Sequence, residues 1–341
     1  MTANFYTFFK QHRSDLLISG YENGHKFNRK VKLKPYLFVD NNKESEYKNI
    51  EGSYVGRVDF SSPYEARQFI KDHEIMDNFK VYGSTYFDYV HINDAYPEIV
   101  SNNKLLRIGN YDIETDSEGL NGKIEYGNVE TADKAIISIT IHVLCDNEVY
   151  CFGYYDYNPD KDEILKAECP DKKVVYIHCE NEEELLREFI KLWVNLKLDA
   201  ITGWNINGYD HLYLIRRINR VLGERYSLKL SPFEQITSHV FTNGFGKETT
   251  NFEIIGIPTL DYIECYKKFS FKNQESYKLD YIAKVELGKQ KLRVGVQSNL
   301  DRFIKSSKTV KIPKEGNPKN FKRVEKLAYI RSKIKDELNR R

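Results

Sequence analysis

The stretch Lys104-Leu-Leu-Arg-Ile-Gly-Asn-Tyr-Asp-Ile-Glu114 constrains the chain most. Its apolar positions predict a buried strand. Side chains alternate along a strand with period two, so Asp112 and Glu114 share one side. Two carboxylates so placed belong at the end of a sheet, because an apolar layer does not accept them without a cation. A divalent ion meets that need, and hard oxygen donors suit Mg²⁺ or Mn²⁺. The plainer alternative is a strand end whose acids face water.

What surrounds this strand decides between the two. A length of 341 residues predicts two or three domains, and 40% hydrophobic residues suffice for real cores. The 25 tyrosines serve packing first, and they also suit stacking on bases. No run approaches the ~18 apolar residues of a membrane span. The N-terminus lacks a basic-then-apolar leader, so the expectation is a cytoplasmic protein with no membrane contact. Five cysteines without a Cys-x-x-Cys pair predict reduced, mostly buried thiols rather than zinc or a disulfide frame. The net charge of +2 hides an asymmetry: from Asp301 to Arg341 there are 14 Lys/Arg against 5 Asp/Glu, or +9, so residues 1–300 carry −7. Nucleic-acid contact by this mildly acidic body must therefore come from local patches.

Residues 2–40 read as a β-meander, with Phe5–Phe9 and Lys30–Lys34 flanking a turn at Gly20–Gly24 and Pro35–Asp40 following as another strand. Tyr54–Phe60 is strand-like, and Ser62-Pro63 starts a helix. These make an α+β domain of about a hundred residues. Its role is open between a scaffold and a nucleic-acid-binding face. After the Lys104–Glu114 strand come a loop (Asp116–Thr131) and strands at Ala135–Val143 and Val149–Tyr154. Apolar residues at 185, 186, 189, 190 and 193 then have helical spacing, with acids in the first turn. A short buried strand at Asp199–Gly203, a turn at Trp204–Asp210 and a helix ending at Gly223 complete an α/β pattern. Residues 236–257 read as a β-hairpin with Asn243-Gly-Phe-Gly246 at its tip. Phe245 there either packs on the body or wedges into nucleic acid. Helices follow Thr259–Asp261 and at Leu279–Gly288.

In an open α/β sheet, strand ends and helix starts line one crevice. Asp112 and Glu114 end one strand, and Asp210 follows another. That set suits two-metal phosphodiester hydrolysis, in which one ion activates water and the other holds the leaving oxygen. Asn205 is a candidate to orient substrate. Tyr209 either fills the core or packs against a base.

Tyr111-Asp-Ile-Glu114 and Asn205-Ile-Asn-Gly-Tyr-Asp210 resemble the first two exonuclease motifs of family B DNA polymerases. Leu279-x-x-Ile-Ala-x-x-x-Leu-Gly-x-x-Lys291 is similar to the segment preceding the third motif, including its active-site lysine. Pro35-Tyr-Leu-Phe38, Thr202-Gly-Trp-Asn205 and Leu260–Phe271 are phrased like the T4-like bacteriophage members. So is the 236–257 hairpin, which in that family helps move a primer end between sites. The likeness runs from about residue 4 to about 292, and several motifs in order at family spacing are far more specific than any one.

The resemblance implies an N-terminal family B domain (1–103) and an RNase H-like 3′→5′ exonuclease domain with a mixed sheet (104–292). A linker and basic amphipathic helix (293–341) follow, with Phe321, Val324, Leu327, Ile330, Ile334 and Leu338 at steps of three and four. By position, it makes Asp112, Glu114 and Asp210 ligands of two Mg²⁺ or Mn²⁺ ions. It also puts Lys291 near the scissile phosphate, where a cation stabilises charge on phosphoryl oxygens. The implied substrate is DNA, as a single-stranded 3′ end and a primer-template. One departure is decisive: no tyrosine after Asp210 has an aspartate four residues on, so the third motif, Tyr-x-x-x-Asp, is missing. Nor does the sequence carry a polymerase domain. The expectation is one part of a split viral replicative polymerase in the host cytoplasm, completed by a second polypeptide with the third motif and polymerase domain. The alternative is a nucleic-acid-binding and assembly subunit with little or no catalysis, binding RNA as a translational repressor.

Overall fold

The computed structural model describes residues 3–74, 76, 79–117, 125–242 and 248–289. β1 (Phe5–His12), β2 (Asp15–Glu22) and β3 (His25–Lys32) form an antiparallel meander with β2 in the middle. The β2–β3 turn is Asn23-Gly24, with φ of +53° and +80°, the left-handed pair that a two-residue hairpin requires. This corrects the sequence expectation of a turn over Gly20–Gly24. Gly20 lies inside β2 opposite Tyr6, where a Cβ would come within 2.4 Å of the Phe5 carbonyl oxygen. Glycine is there for close approach, not for turning.

β4 (Tyr36–Asp40), β5 (Tyr47–Lys48), β6 (Tyr54–Asp59), α1 (Pro63–His73) and β7 (Val81–Tyr82) follow, the four strands forming a sheet in the order β5-β6-β4-β7. Helix α1 starts where the sequence predicts, with Ser62 Oγ accepting from Glu65 N at 3.2 Å and Pro63 in the first turn. α2 (Phe87–Ala95) puts Ile92 into a small core with Leu16, Ile18 and Leu33 of the meander.

The large sheet comes next. β8 (Ile108–Thr115) begins four residues later than the Lys104 start read from sequence, because Asn103–Leu105 close into a 3-10 turn capped by Asn102. β9 (Ile136–Val143), β10 (Glu148–Gly153), α3 (Glu163–Glu168), β11 (Lys173–His178), α4 (Glu182–Leu196) and β12 (Ala200–Gly203) follow. Then come α5 (Asp210–Val221), α6 (Glu224–Ser227), the hairpin β13 (Ile236–Thr242) and β14 (Glu248–Ile254), β15 (Thr259–Asp261) and α7 (Tyr262–Phe269). The sheet order is β11-β10-β9-β8-β12-β15. β9 is antiparallel to both neighbours, whereas β8, β12 and β15 run parallel. Three strands joined by hairpins, then two parallel strands added beside the first, give an RNase H-like mixed sheet. The carboxyl ends of β8, β12 and β15 therefore open on one edge.

Helix α4 anchors the core beneath this sheet. Its Asn181 cap accepts from Glu184 N at 3.0 Å, and Leu185, Leu186, Phe189, Ile190, Trp193 and Leu196 form its buried stripe. Each such side chain stabilises by roughly 1.5–3 kcal/mol relative to exposure. Trp193 satisfies its indole N–H on the Leu230 carbonyl at 2.8 Å. The meander is tied to the large sheet through Asp199, only 2% exposed. Asp199 accepts from the Tyr21 hydroxyl (2.9 Å), Lys26 Nζ (2.7 Å) and Arg107 N (2.8 Å).

The chain divides after Asn273 into two units. In the second, α8 (Leu279–Leu287) ends on Gly288 with φ +65°, the left-handed glycine stop expected from its sequence. The five cysteines are unbridged. Cys179 is buried, Cys145 and Cys169 are exposed, and Cys151 and Cys265 lie between, which corrects the expectation of mostly buried thiols. The two exposed ones fall outside the helices and strands, beyond the apolar stripes that make up the core. No helix of the described residues is long and apolar enough to cross a membrane.

Candidate functional site

On β8 the predicted alternation holds: Tyr111, Ile113 and Thr115 are buried, whereas Asp112 and Glu114 are exposed. Water reaches both carboxylates, so the strand needs no counterion merely to fold. The buried acid is the third. Asp210, 9% exposed, opens α5, and its Oδ1 accepts from Ile113 N at 3.4 Å. That amide lies between Asp112 and Glu114, so Asp210 adjoins the β8 backbone between the other two acids named from sequence. Burial first, then the charge of Asp112, pushes the Asp210 carboxyl up to about 7, with Glu114 adding to the same direction.

The turn that delivers Asp210 is built tightly. Gly203 ends β12 where a Cβ would sit 3.1 Å from Ile206 and 3.3 Å from the Tyr111 carbonyl. Asn205, exposed, takes the left-handed φ of +61°. Gly208 N returns to the Asn205 carbonyl at 2.9 Å, and His211 N returns to the Ile206 carbonyl at 2.9 Å. Asp261, at the end of β15, holds the same turn from the side. Its Oδ1 accepts from Asn205 N (2.9 Å) and Ile263 N (3.0 Å), and its Oδ2 from Asn207 N (3.0 Å). The sequence alone gives Asp261 no role. The only local signal is an aspartate directly before a helix, the pattern of an N-cap.

Tyr209 is half-buried, stacked on Tyr213 with centroids 5.3 Å apart, and its hydroxyl lies 3.3 Å from Thr115 Oγ1. It thus packs partly on the core and partly at the rim. Behind the acids, the buried Tyr111 hydroxyl meets Nδ1 of fully buried His211 at 3.0 Å. Burial depresses that imidazole to about 4, so it is neutral at ordinary pH. Phe245 and Lys291 lie outside the described residues, as does the tail helix.

The donors here are carboxylate oxygens, and a buried carboxyl lifted by two neighbouring acids is an environment that favours a cation over a second proton. In chemistry and charge the residues fit a divalent ion. In arrangement they do so incompletely: among the described residues, no group of three His, Cys, Asp or Glu is placed to hold a metal ion.

The strand order and the acids at its carboxyl edge place this domain with the RNase H-like folds. The family model for DNA polymerase family B, exonuclease domain, matches residues 45–282, and the chain belongs to that family. The DNA-directed DNA polymerase of Enterobacteria phage T4 is 32% identical over 287 residues, 80% of this chain and 31% of that protein. That of Escherichia phage RB69 is 31% identical over 290 residues, again 80% and 31%. The DNA polymerase catalytic subunit of Saimiriine herpesvirus 2 is 31% identical over 134 residues, 36% of this chain and 13% of its own. The likeness to T4-like family B polymerases read from the motifs is borne out, and so is the mixed α/β exonuclease fold. The chain spans about a third of the length of the two phage relatives.

Proposed function

We propose that this chain supplies the N-terminal domain (1–103) and most of the proofreading 3′→5′ exonuclease domain (104–292) of a viral replicative DNA polymerase, acting in the host cytoplasm. Its substrate is a single-stranded 3′ end of DNA. Asp112, Glu114 and Asp210 are the residues that would hold two Mg²⁺ or Mn²⁺ ions, which supply activated water and stabilisation of the leaving oxygen when bound. Asp210 is oriented by the Ile113 amide, and β8 presents Asp112 and Glu114 on one side. Asn205, exposed on the turn, is assigned to orient substrate, and half-buried Tyr209 to contact it at the rim. Lys291 is assigned to the phosphoryl oxygens and Phe245 to the DNA by their motif positions alone. The observation that carries this reading is the hydrogen bond from the amide between Asp112 and Glu114 to Asp210, which gathers acids from two distant motifs.

The fourth acid, on a Tyr-x-x-x-Asp motif, is assigned to polypeptide outside this sequence, a second chain in the split arrangement. Mixing this chain with a polypeptide carrying that motif and the polymerase domain should produce Mg²⁺-dependent trimming of a 3′ end. Asp112→Ala should lower that rate by orders of magnitude, since residues acting as a unit fail together. Trimming by the variant at the parent rate would refute the carboxylate assignment.

The second reading is a nucleic-acid-binding and assembly subunit with little catalysis, including RNA binding as a translational repressor. It is favoured by the lack of a three-residue metal group among the described residues. Mn²⁺-dependent trimming in the presence of the partner excludes it. RNA retention without trimming supports it.

A further inference from the structure

We infer that Asp261 is a positioning residue for the acid site: its carboxylate fixes the 205–208 turn and so sets where Asp210 stands. The inference rests on the reading of Asp210 as a metal ligand. Asp261 is 3% exposed, and both of its oxygens are engaged by backbone amides. One bond caps α7 through Ile263 N, as an aspartate before a helix commonly does. The other two go out of the element, to Asn205 and Asn207, 56 and 54 residues earlier in the chain. A helix cap needs neither of them.

The two amides belong to a turn otherwise held by the Gly208 N–Asn205 carbonyl bond and by buried Ile206, neither of which engages the Asn205 or Asn207 amide. Asn205 is in the left-handed region, which asparagine adopts more readily than other non-glycine residues. The carboxylate accepting from 205 and from 207 selects that conformation, since it fixes two alternate amides on one side of the turn. Ile206 between them is fully buried, and its carbonyl receives His211 N in the first turn of α5. The path from Asp261 to Asp210 is therefore continuous: carboxylate, two amides, the Ile206 carbonyl, the start of α5. The register of β12 with β15, which pairs Gly203 with Asp261, brings the two ends together. Outer residues that orient metal ligands typically contribute 10–100-fold to metal affinity or activity.

The test measures Mn²⁺ binding to the full chain by electron paramagnetic resonance, alongside amide hydrogen exchange over residues 203–210. Parent, Asp210→Asn, Asp261→Ala and Asp261→Asn are compared. Gly20→Ala, in the meander, serves as a control for general loss of stability. The expected result is that Asp261→Ala weakens Mn²⁺ binding roughly 10-fold or more and speeds exchange at Asn205 and Asn207. Gly20→Ala binds Mn²⁺ like the parent. Asp261→Asn retains one acceptor oxygen and falls between. If Asp261→Ala does not fold, Asp261→Asn decides by the same readouts. Parent-like Mn²⁺ binding by the Asp261 variants, with loss in Asp210→Asn, overturns the inference and leaves the ligand reading standing. Equal binding by parent and Asp210→Asn overturns both.

Discussion

Replacing Asp210 by asparagine separates the electrostatics of the crevice from any chemistry, because the amide oxygen can still accept from Ile113 N. Burial and the Asp112 charge raise the Asp210 carboxyl from 3.8 to about 7. The folded state thus binds this proton more tightly than the unfolded chain. The resulting stabilisation is full below the unfolded value and is lost as pH rises through 7. At ~1.4 kcal/mol per pH unit, the parent is less stable by about 4 kcal/mol at about pH 8 than a chain without the acid. His211, next in sequence, works in the opposite sense. Its imidazole falls from 6.5 to about 4 on burial, so its contribution is present above 6.5 and is lost as pH falls through 4. That amounts to about 3 kcal/mol. Where the two ranges overlap the slopes oppose each other, and this pair leaves the parent's stability nearly level from about pH 4 to 6.5. Asp210→Asn removes one slope. Urea unfolding with chelator present should find the variant more stable than the parent by up to about 4 kcal/mol near pH 8. On acidification it should then show the unopposed loss of about 3 kcal/mol from His211. Saturating Mn²⁺ should stabilise the parent and not the variant. Parallel curves for the two proteins across this range would refute the buried, charge-raised Asp210.

Three further outcomes follow from packing. Glu182 takes Arg217 through both oxygens, at 2.7 and 2.6 Å, and also accepts from Ile136 N at 2.7 Å. Glu182→Ala strands a largely buried guanidinium and should lower unfolding free energy by about 3–5 kcal/mol; a loss under about 1 kcal/mol would mean that water screens the pair. Asp199→Ala removes the acceptor shared by Tyr21, Lys26 and Arg107 and should destabilise by a similar amount. Limited proteolysis should then cut first within β1–β3, and unchanged cleavage would show that the meander is held elsewhere. Gly20→Ala drives a methyl to 2.4 Å from the Phe5 oxygen and should cost about 1–3 kcal/mol in a thermal or urea melt.

What was legible in the sequence is what local physics writes there. The stripe of α4, the Ser62 cap, the glycine after α8 and the alternation of β8 each depend on neighbours a few residues apart. The same local pattern puts two acids on β8 and one at the start of α5, whereas it is the likeness to the exonuclease motifs that singles them out as a site. Short strands were not legible: β5 and β7 have two residues each, too few for a period to show. β11 lacks the alternation of a half-buried strand, since four of its six residues are neither buried nor exposed. The Asn23-Gly24 turn was masked by Gly20, whose glycine serves the approach of β1.

The acids show most clearly where sequence gives out. Asp210 and Asp261 look alike in the chain, each an aspartate at a helix start after a short strand. Their surroundings differ. A carboxylate has about four acceptor positions, and Asp261 commits three of them to backbone amides, which leaves it little to offer an ion. Asp210 meets the Ile113 amide at the long distance of 3.4 Å and stands beside the charges of Asp112 and Glu114, so a cation there would relieve repulsion. The difference arises from which amides the sheet brings to each carboxylate, and no window of sequence around either residue contains them. It is also why Asp261 fits as the support of the turn and Asp210 as the group that turn carries.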